Sequence, residues 1–191
     1  MLGLWFLAPE HLRLGTWDVL CRWAQQSPER VEPRLALQLV HESALCVTGI
    51  RYSRHLSQRG FELLNGLPFV ASDRAIHDLL EAHSVADAEA LQVHLGLVRR
   101  ARGHFSGNLV AIDPHRIRSY SKRQMCRYRG DRVSKPIKVA QTFFCLDTET
   151  HEPICLTSAS SAISVYHATP GLLHLAADIL DPKPGQALAV A

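Results

Sequence analysis

The sequence has no Cys-x-x-Cys pair, no Gly-rich phosphate loop, no G-x-S-x-G elbow and no unbroken apolar run of transmembrane length. A disulfide framework or zinc ribbon needs paired cysteines, whereas Cys21, Cys46, Cys126, Cys145 and Cys155 are odd in number and scattered. Such usage suits a reducing, cytoplasmic compartment. Cys145, His151 and Cys155 match no usual structural zinc spacing, and thiols on strands are more often core side chains. Missing phosphate loop and nucleophile elbow exclude P-loop NTPases and α/β-hydrolase-type serine hydrolases. The apolar start, Leu2 to Ala8, lacks a basic flank and falls short of the about 20 residues that span a bilayer, so no signal peptide or anchor is expected.

Acids are also missing from one long stretch. Between Arg99 and Lys138 there are twelve basic residues but only Asp113 and Asp131 as acids, a net charge of +10, while the rest of the 191-residue chain carries −7. The overall charge of +3 conceals this polarity. Concentrated positive charge calls for a polyanionic partner, and arginine outnumbers lysine nine to three here, as its planar fork suits phosphate. A solvated basic loop is the plainer alternative.

At roughly 100 to 200 residues per domain the chain makes one domain or two small ones. Its first part reads as helical. Pro33 to Cys46 places Leu35, Leu39 and Val40, with Ala36 and Ala44, at helical spacing. A second helix spans 57–64 and stops at Asn65-Gly66, with the glycine free to adopt a left-handed cap. Ser72 caps a third, with Ile76, Leu79 and Leu80 inward and an end near His83. Ser84 caps a fourth, with Asp87 in its first turn and Ala88, Leu91, Leu95 and Val98 on one side. Helices 57–64 and 72–83 admit a helix-turn-helix reading with Arg74, His77 and Asp78 toward DNA, although their connection is long for that motif.

Gly103, Ser106, Gly107 and Asn108 mark a boundary, and the pattern then changes to strands. Leu109 to Ile112 is a short apolar run expected to end at Asp113-Pro114. Ile137 to Leu146 and Ile154 to Ala159 flank a polar turn at 147–152, as in a hairpin. Thr169-Pro170 is expected to start a helix through Leu172, Leu173, Ala176, Ile179 and Leu180, stopped by Asp181-Pro182. Ala187 to Ala191 reads as a buried strand. The fold class is therefore α+β, with a helical region at 1–103 and a mixed sheet with a flanking helix at 104–191.

Asp113 stands out chemically. A carboxylate on an apolar strand needs a cation, either a metal or a salt bridge to Arg116 or Arg118. His115 is a further candidate ligand or phosphate contact. Asp147 and Glu149 read as turn residues.

The run Leu109-Val110-Ala111-Ile112-Asp113-Pro114-His115-Arg116-Ile117-Arg118-Ser119-Tyr120-Ser121-Lys122-Arg123-Gln124-Met125, followed by Lys138 to Phe144 and Pro153 to Leu156, resembles bacterial insertion-sequence transposases of the DDE type. The resemblance covers Leu109 to Ala191, and the helical part more loosely. It implies a ribonuclease H-like domain whose three acids bind two Mg2+ ions for in-line phosphoryl transfer on double-stranded DNA. Asp113 matches the first acid, as catalytic residue and metal ligand. Arg116, Arg118, Lys122, Arg123, Arg127, Arg129 and Lys138 would face DNA, and homo-oligomers would be compatible with such a protein. The second acid is expected at the end of the strand after the helix, where this sequence stops, and no residue matches it or the final Glu. The expectation is an N-terminal fragment with weak or no Mg2+ binding and no strand transfer by itself. The alternatives are a non-catalytic DNA-binding protein, such as an element-encoded repressor, and an interaction domain for another polyanion.

Overall fold

The computed structural model describes residues 2–25, 29–45, 59–107, 109–120, 122, 124–129, 135–157, 164–185 and 188–191. The chain divides into two compact units, Met1–Leu91 and Gln92–Ala191.

The first unit is helical: α1 (Leu2–Trp5), α2 (Leu7–Arg13), α3 (Thr16–Trp23), α4 (Glu32–Ala44), α5 (Arg59–Leu64) and α6 (Asp73–Glu81), followed by the start of α7 (Val85–Ala101). Local chemistry sets several of these ends as expected. Ser72 caps α6 by accepting from the Ala75 N–H at 3.3 Å. Ser84 and Asp87 form a reciprocal box at the start of α7, the Asp87 N–H donating to Ser84 Oγ (3.2 Å) and the Ser84 N–H to Asp87 Oδ2 (2.8 Å). Gly66, at φ 66°, closes α5 in the left-handed region. The start of the 57–64 helix lies partly outside the described residues.

Periodicity misjudged parts of these helices. On α4 the most deeply buried side chains include Gln38, His41 and Glu42 beside Ala36, while Leu35, Leu39 and Val40 are only half-buried and Ala44 is exposed. Gln38 spans a gap between segments. Its carbonyl accepts the Ala71 N–H (2.8 Å) and its amide donates to Glu42 (2.8 Å). His41 Nδ1–H donates to Asn65 Oδ1 (2.8 Å), whose amide donates to the Phe61 carbonyl (2.7 Å). That leaves His41 Nε2 to accept from His11 Nε2–H at 3.1 Å, an arrangement that needs a neutral His41, and burial pushes both imidazoles below their ordinary value. On α6 Ile76 and Leu79 are buried but Leu80 is exposed, and on α7 Ala88 is exposed. Eight residues separate α5 from α6, with Asn65, Leu67 and Ala71 buried among them, so the tight turn of a helix-turn-helix is absent from this connection.

The second unit holds the rest of α7, the strands β1 (Leu109–Arg118), β2 (Arg127–Tyr128), β3 (Ile137–Asp147) and β4 (Pro153–Leu156), helix α8 (Val165–Leu180) and β5 (Ala189–Val190). The mixed sheet runs β2-β3-β1-β5, with β4 on the same outer edge of β3 as β2. β1 is antiparallel to β3 and parallel to β5. Val110, Phe143, Cys145, Ile154 and Cys155 pack with Leu172, Ala176 and Ile179 of α8 as the core.

Three boundaries differ from expectation. β1 passes through Pro114 instead of stopping there. The Phe143 carbonyl, opposite Pro114, accepts from Thr157 N–H (3.0 Å), so Phe143 turns its backbone polar groups away from β1. Pro114 therefore sits in a non-hydrogen-bonded pair with its missing N–H toward the other edge, where β5 pairs only Leu109 and Val110. α8 begins a full turn before Thr169, capped by Ser164, which accepts from the His167 N–H at 3.4 Å, and it carries Pro170 within. β5 is short and exposed, with Leu188 alone reaching the core. Ala187 lies outside the described residues.

The division after Leu91 has a local cause. Gln92 uses its side-chain amide like a strand, accepting the Leu156 N–H (3.0 Å) and donating to the Leu156 carbonyl (3.1 Å), which satisfies the open edge of β4. Arg99 donates to the Pro153 carbonyl and to Glu152. Between them Gly96 is buried, and a Cβ there would lie 2.7 Å from Ile179, itself wholly buried. Gly96→Ala is expected to destabilise the protein by about 1–3 kcal/mol, measured by urea unfolding. Unchanged stability would mean that α7 is not closely packed on α8.

Candidate nucleic-acid interface

Alternation along β1 decides which side chains can meet. Val110, Ile112, Pro114, Arg116 and Arg118 share the face covered by α8 near its start, and Ala111, Asp113, His115 and Ile117 point the other way. Asp113 is thus exposed on the face opposite Arg116 and Arg118 and makes no ion pair with either. The salt-bridge alternative fails for this reason.

Asp113 also lies in mid-strand, fifth of the ten residues of β1. Its partner on β3 is Phe144, flanked on that face by Leu146 and Thr142, with His115 meeting the Phe144 ring edge at 6.0 Å. Among the described residues no group of three or more His, Cys, Asp or Glu could hold a metal ion. One carboxylate facing phenylalanine does not fit a two-metal centre, and no chemical step is assigned to Mg2+ here.

Beyond the core, β1, β3 and β2 continue as a basic ribbon. Arg116 stacks its guanidinium on Tyr128 (3.9 Å to the ring centroid) and Arg118 on Tyr120 (5.1 Å). Arg127 and Lys138 are cross-strand partners between β2 and β3. Tyr128 pairs with Ile137, which puts its ring on the Arg116 face, while Arg127 and Lys138 occupy the reverse face. Arg116, Arg118, Lys122, Arg127 and Arg129 are exposed and Lys138 is half-buried. Arg123 lies outside the described residues.

The remaining charge of the basic segment is partly spent on structure. Arg99 pairs with Glu152 at 2.6 Å and stacks on Phe105, and Arg100 pairs with Asp181 at 3.0 Å. No ion pair engages Arg116, Arg118, Lys122, Arg127 or Arg129 among the described residues. The uncompensated charge is therefore concentrated on the ribbon.

Two features escaped sequence reasoning. Tyr120 and Tyr128 carry no motif; the register of β2 on β3 brings Tyr128 to Arg116, and Tyr120 meets Arg118 two residues before it. Asp147, read as a turn residue, is wholly buried and does more: its carboxylate accepts from the Ser106 and Gly107 N–H groups, the Ser106 hydroxyl, and the Glu149 and Thr150 N–H groups at 2.7–3.0 Å. Burial pushes this carboxyl up, but the hydrogen bonds outweigh it and hold it down at about 2.

The chain matches no protein-family model, no curated protein and no solved structure. No helix among the described residues is long and apolar enough to cross a membrane.

Proposed function

We propose that this chain binds double-stranded DNA through the basic ribbon of β1, β2 and β3, as a transposase-type protein that grips DNA without cutting it. The observation that carries this reading is the set of exposed arginines on the ribbon, held by tyrosine faces and cross-strand neighbours instead of carboxylates. A guanidinium stacked on an aromatic ring keeps its N–H donors available for phosphate, and stacking restricts its rotamers before binding.

The DDE resemblance adds the parent chemistry to this proposal. It expects the first acid on the first strand and a further strand delivered by a helix, and the order β1, α8, β5 supports that, with β5 parallel to β1. Asp113 would then be the one acid of the set that this chain contributes. Strand transfer needs preorganised metal charge that a single carboxylate does not supply. Binding is the activity that the ribbon supports.

The test is duplex binding across a salt series, followed by fluorescence anisotropy. With four ribbon arginines each meeting a phosphate, log K is expected to fall with log[salt] at a slope of about −4. Mg2+ with a nicked-product assay should show no cleavage. Failure to bind duplex at low salt, or affinity indifferent to salt, would overturn the proposal, and Mg2+-dependent nicking lost in Asp113→Ala would overturn its non-cleaving part.

A further inference from the structure

Cys145 and Cys155 are direct partners across β3 and β4, both buried in the core beneath α8. The Phe143 carbonyl accepts the Thr157 N–H two residues away, so by alternation Cys145 and Cys155 form a hydrogen-bonded pair. In such pairs the Cα atoms stand about 5.5 Å apart, inside the window in which a disulfide closes without moving the backbone. As direct cross-strand partners, both side chains leave the same face of the sheet. Cys155 Sγ also faces the Leu172 carbonyl at 3.6 Å.

The pair has a route to solvent. Cys155 lines an open cavity of about 240 Å³ between the Gln92–Arg99 stretch of α7 and β4. A water-sized oxidant fits such a space, whereas a protein disulfide does not.

We infer that Cys145 and Cys155 form a redox site that hydrogen peroxide converts to an intramolecular disulfide within the folded protein. One sulfur attacks a peroxide oxygen, the O–O bond breaks, and the leaving hydroxide takes up the thiol proton as water, which gives a sulfenic acid. The second sulfur attacks the first, the S–O bond breaks, a second water leaves with the second thiol proton, and the S–S bond forms. The two thiols lose two electrons and peroxide gains them. Cys155 lines the cavity and is the sulfur that meets peroxide, and Cys145, wholly buried as its cross-strand partner, attacks the resulting sulfenic acid to close the bond. β3 is shared with the basic ribbon, so the bond would pin the strand that carries Lys138 to β4.

The experiment treats the reduced, folded full-length chain with hydrogen peroxide, blocks remaining thiols and maps peptides by mass spectrometry. The expected result is a linked Cys145–Cys155 peptide pair lighter by two hydrogens, formed without unfolding. Exposed Cys126 reports that oxidant was active. In Cys145→Ser the expected product is a Cys155 sulfenic acid trapped by dimedone in place of the link. Oxidised Cys126 with both core thiols still reduced would overturn the inference, as would a link that forms only in denaturant. The wild-type mapping is decisive even where the variant fails to fold.

Discussion

Asp147→Asn is expected to destabilise the second unit by about 3 kcal/mol. The wild-type carboxylate offers two acceptor oxygens to five donors drawn from the 106–107 turn and the β3–β4 turn. Asparagine replaces one oxygen by an NH2 group, which would face N–H donors in a wholly buried site. The pH dependence has a definite sign. An unfolded aspartate titrates near ~3.9, and the folded one is held down at about 2. The contribution is therefore complete above the unfolded value and is lost as pH falls from about 4 through about 2, amounting to ~2 kcal/mol in wild type. Urea unfolding at pH 7 and across the acid range checks both statements. If Asp147→Asn kept the full acid sensitivity of wild type in that window, another carboxylate would be responsible.

The double charge reversal Arg116→Glu/Arg118→Glu is expected to weaken duplex DNA binding by about a hundredfold or more at moderate salt and to flatten the salt slope by about 2. Both side chains lie on one face of β1 and stack on exposed tyrosines, so their replacement removes no core contact. Folding should be unchanged by circular dichroism. Asp113→Asn, on the opposite face, should leave the slope unaltered. Equal affinity for wild type and the double variant would place any DNA contact away from the ribbon.

Much of the local structure was legible because its causes are local. Ser72, Ser84 with Asp87, and Gly66 end or begin helices through partners within a few residues. The charge asymmetry around residues 99–138 required only counting, and the structure concentrates its unpaired part on one ribbon. By contrast, Gln38 and His41 answer to Ala71 and Asn65, more than twenty residues away, which no helical periodicity can register. Pro114 illustrates the same limit, since a proline ends a strand or rides along an open edge according to which side its nitrogen faces.

The amino-acid order alone determined that the chain starts helical and turns to strands after Gly103, and that its positive charge is concentrated in one segment. These follow from side-chain spacing, capping chemistry and composition, all properties of neighbouring residues. Only the tertiary structure decided that Asp113 faces away from Arg116 and Arg118, that Tyr128 from another strand meets Arg116, and that Asp147 is a buried anchor. Each depends on strand register or on which edge is open, and a shift of one residue in pairing would reverse every face of the sheet.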